Sequence, residues 1–187
     1  MNTAKDINGF KDKVRKGRAI ITYTGITFWP MDPRQEEIDI IDIAHSLSMQ
    51  CRFNGHLDRF YSVAEHCVRV AAECSKKNRL WGLIHDSAEA YVSDLPAPIK
   101  MELQEYIDME NVVLKCICGK FGLPLKEPEE VKKYDLIIRA TEIRDLMKNN
   151  NIKFNTKPLK TKIEPWTQKQ AEKMFLEVFH ALVKNAA

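Results

Sequence analysis

Residues 79–98 read RLWGLIHDSAEAYVSDLPAP. The apolar side chains in this stretch recur at the three- and four-residue intervals of a helix with one face on a core: Leu80, Leu83, Ile84, Ala88 and Tyr91. Pro96 and Pro98 follow, and proline at such positions ends one helix and permits another to begin. The stretch therefore predicts a helix over Arg79–Val92 that carries acids and a histidine among apolar neighbours.

Helical patterns continue on both sides of this stretch. Two capping boxes, Ser62-x-x-Glu65 and Thr167-x-x-Gln170, mark helix starts. The other segments with helical periodicity are Ile38–Leu47, Ser62–Ala71, Ile99–Cys118, Pro128–Lys148 and Thr167–Leu182. We expect Gly119 or Gly122 to end the helix that begins at Ile99, and the Asn149-Asn150-Asn151 run to end the next one.

A short β-hairpin is predicted before the helices. Ala19–Tyr23 and Ile26–Trp29 are rich in β-branched and aromatic residues, and Thr24-Gly25 separates them. Pro30 closes off the second run. Because the segments beyond it read as helices, we expect an all-α helical bundle with a short N-terminal β-hairpin.

The composition indicates one globular domain over residues 1–187, with a basic arm over residues 1–18. Hydrophobic residues make up 44% and charged residues 29%, which is ordinary for such a domain. The net charge of +3 is too small to indicate stable nucleic-acid binding, and no apolar run predicts a membrane span. A second basic stretch either lies in a solvated loop or produces a mild positive electrostatic field that attracts phosphorylated ligands. It contains Lys153, Lys157, Lys160 and Lys162.

The cysteines favour a reducing cytoplasm. There are five of them, an odd number, and no signal peptide is apparent. Cys116 and Cys118 lack the usual zinc-knuckle spacing. Cys67 and Cys74 fall on a predicted helix, where we expect them to pack as small hydrophobic residues.

Four side chains are candidate ligands for a divalent metal ion. His66 lies in the first turn after the capping box at Ser62, and the His85-Asp86 doublet lies on the next predicted helix. Asp135 lies within a later helix and could approach the other three across the bundle. Imidazole and carboxylate groups from rigid elements suit such an ion, whose identity they leave open among several first-row metals.

Two further acids strengthen the metal hypothesis. Glu89 lies four residues after His85, on the same face of a helix, and Asp94 lies at the predicted helix exit. Burying these acids among apolar residues without a cation would be costly. Glu89 could take a proton from a metal-bound water, and Asp94 could position the substrate or protonate the leaving oxygen. The alternative for Asp94 is a structural cap of the turn before Pro96.

These residues resemble a known family. His66, His85-Asp86 and Asp135 match the H…HD…D signature of the HD-domain phosphohydrolases. The stretch from His85 through Glu89 and Asp94-Leu95-Pro96 to Lys100 looks like bacterial 5′-deoxynucleotidases. Residues 52–56 (RFNGH) and 60–66 (FYSVAEH) are similar to compact phage and bacterial HD proteins, which include phage dATP triphosphohydrolases. The resemblance covers roughly residues 22–146.

The resemblance implies an HD-domain helical bundle and a role for each matching residue. His66, His85, Asp86 and Asp135 become the ligands of one divalent transition-metal ion (Co, Mn, Zn, Ni or Fe, rather than Mg). By the same resemblance, Glu89 activates water, Asp94 acts at the leaving oxygen or sugar, Arg52 contacts the nucleotide and Lys100 lies close to the phosphates. Two features depart from the deoxynucleotidases: a shorter connection between His66 and His85, and Phe53 in place of tryptophan.

The remaining candidates have two interpretations each. His56 contacts phosphate or orders its loop, and Phe53 stacks on a base or packs in the core. We expect His45 to be structural and His180 to be a packing or surface residue. Arg139 and Arg144 are expected on an exposed helix face.

We therefore expect a metal-dependent phosphohydrolase of 2′-deoxynucleotides, of the dNTP triphosphohydrolase or dNMP 5′-nucleotidase type. The expected partners are the nucleotide itself and further copies of the chain in a homo-oligomer, with no stable nucleic acid and no membrane. The expected location is the cytoplasm of a bacterium or a phage-infected host. The alternatives are an HD hydrolase of cyclic or signalling nucleotides, and a non-catalytic nucleotide-binding module that a metal stabilises.

Overall fold

The computed structural model describes residues 14–148 and 155–184, which form a helical bundle with one small antiparallel hairpin. The elements are β1 (Ile20–Ile21), β2 (Thr27–Phe28), α1 (Ile40–Met49), α2 (Val63–Glu73), α3 (Arg79–Ile84), α4 (Glu89–Val92), α5 (Ala97–Lys100), α6 (Gln104–Phe121), α7 (Glu129–Leu146) and α8 (Gln168–Lys184). The predicted all-α fold with an N-terminal hairpin is confirmed. Most of the basic arm, residues 1–13, lies outside the described residues, as do Lys153 and the Asn149–Asn151 run.

The helix predicted over Arg79–Val92 is wrong in one respect, because it is divided into α3 and α4. The amide of Ser87 bonds to the Ile84 carbonyl at 2.8 Å, and the amide of Glu89 bonds to the Asp86 carbonyl at 3.0 Å. These bonds join residues three apart, as in a 3₁₀ turn, and not four apart, as in an α-helix. The backbone is therefore wound more tightly between α3 and α4. His85 and Asp86 therefore lie in a link rather than on a continuous helix.

The helix predicted over Ile99–Cys118 is likewise divided. α5 ends at Lys100, and α6 begins at Gln104 after a short turn. At its other end, α6 stops at Gly122, whose φ of +66° is the left-handed conformation that favours glycine. Among the described residues, no helix is both long and apolar enough to cross a membrane.

Helix α2 lies at the centre of the bundle and packs against α1, α3, α7 and α8. Its apolar side chains are buried on nearly every side, as expected for a central helix: Val63, Ala64, Cys67, Val68, Val70 and Ala71. The hydroxyl of Ser62 accepts a bond from the Glu65 amide at 3.1 Å, which confirms this helix start. The Glu65 carboxylate instead binds Arg69 and the amide of Trp166, so the reciprocal half of the capping box is absent.

A glycine permits α3 to approach α2 closely. A Cβ atom placed on Gly82 would lie 3.0 Å from the sulfur of Cys74 and 3.2 Å from the Cα of Ala71. Both distances are tighter than ordinary van der Waals contact. The close approach matters for the site because His66 on α2 and His85 just after α3 face each other.

Both an aromatic stack and hydrogen bonds attach the hairpin to the bundle. Phe28 is fully buried and stacks on Tyr91 of α4, with ring centroids 4.0 Å apart. The turn between the strands is held by Asp42 of α1, which accepts bonds from the amide and the hydroxyl of Thr24 at 2.7 and 2.8 Å. The hairpin therefore fixes the positions of α1 and α4 relative to each other.

We expect Phe28→Ala to lower the free energy of unfolding by about 3–5 kcal/mol, because the deletion leaves a cavity in a closed core. Chemical denaturation followed by circular dichroism would measure the loss. Ile21→Ala is the control, because Ile21 lies in the paired strand and is half exposed. An unchanged denaturation midpoint for Phe28→Ala would contradict the role given to the hairpin.

Candidate metal centre and the cavity beside it

The four predicted ligands meet at one point in the bundle. The Nε2 atom of His66 lies 3.2 Å from Nε2 of His85, 3.2 Å from Oδ1 of Asp135 and 3.7 Å from Oδ2 of Asp86. Oδ2 of Asp86 lies 3.3 Å from Nε2 of His85. Ligands bound tetrahedrally at about 2.1 Å would be about 3.4 Å apart. The donor atoms of His85, Asp86 and Asp135 therefore each lie from Nε2 of His66 at about the separation of two ligands on one first-row ion.

Hydrogen bonds direct the Nε2 atoms of both histidines at this centre. Nδ1 of His85 donates to the carbonyl of Gly82 at 2.8 Å. Nδ1 of His66 lies 2.7 Å from the Glu142 carboxylate and donates to it. With each Nδ1 carrying a proton, a metal ion that replaced the proton on Nε2 would bind the lone pair of that atom in each ring.

The electrostatics of the centre favour a positive charge. Burial would raise the pKa of Asp86, but the neighbouring His85, His66 and Arg52 hold it well below its ordinary value. Burial likewise opposes ionisation of Asp135, yet its hydrogen bond with His66 and the charge of that ring lower its pKa to about 2. Both carboxylates are therefore ionised, and ionised carboxylates can bind a cation.

A second metal-capable group overlaps the first. Potential ligand atoms of Cys67, His85 and Asp86 lie within 4.8 Å of one another, as do those of His66, His85 and Asp135. Cys67 is fully buried in the core, as the sequence predicts, but its sulfur also borders the centre. The chain thus carries two groups of side chains that could hold a metal ion.

Glu142 completes the centre, and the sequence reasoning missed it. This glutamate on α7 is fully buried, and its two oxygens face His66 and Arg52, the latter through Nε at 3.2 Å. Burial opposes ionisation, but the charges of Arg52 and His66 lower the pKa of Glu142. Its position seven residues after Asp135 is two helical turns further along the same face, a signal that could have found it.

Arg52 connects the centre with the loop that follows α1. Its guanidinium lies 3.4 Å from Asp86 through Nη1 and 5.5 Å from the centre of the Phe53 ring. Phe53 and Asn54 both have left-handed backbone, with φ of 54° and 52°, which is uncommon outside glycine. This tight turn, Arg52–Gly55, brings the phenylalanine ring to the edge of the site.

A cavity of about 680 Å³ opens beside the ligands. Its walls include Asp86, Asp135, Glu89, Asp94, Arg52, Phe53 and Lys100. Lys100 is paired with Glu110 at 2.6 Å. Arg139, expected on an exposed helix face, is exposed but also lines this cavity. His56 is exposed and is not among the lining residues.

Glu89 is the cavity residue with an unsatisfied buried atom. It is 7% exposed, and its Oε2 atom has no hydrogen-bond partner among the described residues. Burial, reinforced by the charges of Asp86 and Asp94, raises the pKa of Glu89 well above its ordinary value. A buried acceptor without a partner is uncommon and suggests a water or ligand at that position.

The other residues named from the sequence lie away from the cavity. His45 stacks on Tyr23, with ring centroids 3.6 Å apart, and its Nδ1 atom lies 3.3 Å from Glu172 of α8. His180 is exposed on α8 beside Phe179. Arg144 binds Asp145 and the carbonyls of residues 159 and 161, so it holds the segment before α8.

The sequence is 44% identical over 127 residues to YfdR, an uncharacterised protein of Escherichia coli (strain K12). The match spans 68% of this chain and 71% of YfdR. The chain belongs to the YfdR family. An uncharacterised protein of Rhodobacter capsulatus is 33% identical over 113 residues, which are 55% of this chain and 58% of that protein. No protein-family model matches the chain. Neither name states an activity, so a function for this YfdR-family chain has to be inferred from its site.

We expect Glu142→Gln to weaken binding of Mn²⁺ or Zn²⁺ by about 10–100-fold, because the neutral amide orients His66 less firmly and offers it less charge. Isothermal titration calorimetry with each metal would measure the change. Glu129→Gln is the matched control, since Glu129 lies on the same helix and is exposed. Equal affinities for the wild type and Glu142→Gln would contradict the supporting role of Glu142.

Proposed function

We propose that this YfdR-family chain is a metal-dependent phosphohydrolase of 2′-deoxynucleotides. The observation that carries the proposal is the buried oxygen of Glu89, which has no partner among the described residues and belongs to a cavity that the candidate ligands Asp86 and Asp135 also line. When bound at His66, His85, Asp86 and Asp135, a divalent ion such as Co, Mn, Zn, Ni or Fe supplies Lewis-acid activation of water and phosphate, and its charge favours ionised carboxylates nearby.

Glu89 and Asp94 act on protons in this proposal. Glu89 accepts a proton from the attacking water through Oε2, which has no hydrogen-bond partner among the described residues. This role requires ionised Glu89, and the charge of a bound cation would offset the effect of burial on its pKa. Burial raises the pKa of Asp94 above its ordinary value, so Asp94 can retain a proton for the leaving oxygen. The two acids line one cavity and have neighbouring positions around α4, as a paired base and acid require.

The positive side chains bind the phosphate. Arg52 is already fixed by Glu142 and Asp86, so its remaining N–H groups are directed before substrate arrives. Lys100 and Arg139 lie on other walls of the cavity. Phe53 provides an aromatic face for the base, while a phosphate contact of the exposed His56 would require the 52–56 loop to move.

The resemblance to HD-domain phosphohydrolases supports the deoxynucleotide assignment. The donor atoms of His85, Asp86 and Asp135, which match the H…HD…D residues of the resemblance, each lie within 3.7 Å of Nε2 of His66. A homo-oligomer in the cytoplasm of a bacterium or phage-infected host is part of the same proposal.

Product analysis tests the proposal directly. The protein would be incubated with dATP, dAMP, ATP, AMP and a panel of cyclic and signalling nucleotides, each with Co²⁺, Mn²⁺, Zn²⁺ or Mg²⁺, and the products separated by anion-exchange chromatography. We expect the deoxynucleotides to yield a deoxynucleoside together with phosphate or triphosphate. Turnover of the deoxyribose substrates should be faster than turnover of the ribose substrates, and a chelator should abolish it. Turnover of cyclic or signalling nucleotides alone would favour the other hydrolase, and binding without turnover would favour the non-catalytic module.

We expect Glu89→Gln to lower kcat by about 10²–10⁴-fold, because the amide cannot accept the proton from water. Metal content, measured by plasma mass spectrometry, and the thermal midpoint should stay close to wild type. Glu105→Gln on the exposed start of α6 is the control. Full activity of Glu89→Gln would remove Glu89 from the mechanism.

A further inference from the structure

The side chain of Gln50 joins both ends of α4. Its Nε2 atom donates to the carbonyl of Glu89 at 3.0 Å and to the hydroxyl of Ser46 at 3.1 Å. Its Oε1 atom accepts from the amide of Asp94 at 3.0 Å. One amide group therefore bonds to the backbone of both acids to which the proposed function gives a role.

The segment that Gln50 holds has little support of its own. α4 is a single turn of four residues, and Ser93 after it has a φ of +76°, which is strained for a residue other than glycine. Ser46 adds one bond from α1, to the Ala90 carbonyl at 2.9 Å. The Glu89 carbonyl already accepts from the Ser93 amide at 2.8 Å, and the end of α1 adds bonds to the Glu89 and Ala90 carbonyls and to the Asp94 amide.

Gln50 is itself held in place through its backbone. Its carbonyl accepts from the amide of Val63 at 3.1 Å, and the amide of Arg52 donates to the Tyr61 carbonyl at 2.9 Å. These bonds flank an antiparallel bridge between Cys51 and Ser62. Side chains two residues apart on extended backbone point to the same face. Gln50 accordingly reaches α4 while Arg52 reaches the metal ligands.

We propose that Gln50 is a positioning residue that sets the separation of Glu89 and Asp94. Gln50 lines a second cavity, of about 650 Å³, and is not among the residues that line the cavity beside the metal ligands. It therefore acts through the backbone of the two acids. The role needs a donor and an acceptor on one side chain, which glutamine provides and leucine or glutamate does not.

The test compares Gln50→Leu and Gln50→Glu with the wild type. Leucine is similar in size to glutamine and removes both hydrogen bonds. Glutamate keeps an acceptor for the Asp94 amide and loses the donor to the Glu89 carbonyl. Gln104→Leu is the matched control, because Gln104 is exposed and bonds only to Asp108 on its own helix. Amide hydrogen exchange of Asp94, followed by nuclear magnetic resonance, reports the bond without reference to activity.

We expect exchange at Asp94 to accelerate at least about tenfold in Gln50→Leu and to stay slow in Gln50→Glu, as loss of one hydrogen bond predicts. The kinetic part rests on the proposed function: kcat should fall about 10–100-fold in both variants, with KM and metal content near wild type. Unchanged exchange in Gln50→Leu, or a kcat that falls only in proportion to lost metal or lost fold, would overturn the proposal. If Gln50→Leu does not fold, slow exchange with a low kcat in Gln50→Glu supports it, and a wild-type kcat in Gln50→Glu overturns it.

A wild type without turnover would contradict the proposed function alone. The exchange measurement would still decide whether Gln50 restrains the Asp94 backbone.

Discussion

The buried contact of Glu142 with His66 and Arg52 is the constraint on which the site depends. A fully buried carboxylate is stable only when its charge is compensated, and here two partners from different parts of the chain do so. The contact joins α7, the central helix α2 and the turn after α1. It also determines the orientation of the His66 ring, so the folding of the core and the geometry of the metal centre are coupled.

The same elements that build the core therefore build the site. α2 is surrounded by helices, and its one histidine faces the centre while its apolar residues pack around it. α3 lies against α2 at Gly82, which brings the following His85 within 3.2 Å of His66. His66 and Asp135 lie on α2 and α7, and helices position side chains more accurately than loops do. The helix α4, which carries Glu89, is a single turn and receives bonds from Gln50 and Ser46.

The sequence and structure agree where the signals are local. The hairpin, the helix starts at Ser62 and Thr167 and the helix end at Gly122 follow from turn and capping chemistry within a few residues. The two divided helices were predicted as continuous because their apolar spacing does not change at the breaks. Two features depend on packing against other helices: the hydrogen bonds between residues three apart around His85–Ala88, and the turn before α6. The periodicity of the apolar residues gives no information about this packing.

By itself, the sequence determined the fold class and indicated four side chains of types that bind metals, because residue type and helical spacing are local properties. It did not indicate Cys67, which belongs to a second group of side chains that could hold an ion. Only the tertiary structure decided that those side chains meet. It also added Glu142 and Gln50, whose partners lie 76 and 44 residues away, and showed that Arg139 lines the cavity while His56 does not. Such contacts arise from the way helices pack on one another, and short-range sequence patterns carry no information about that packing.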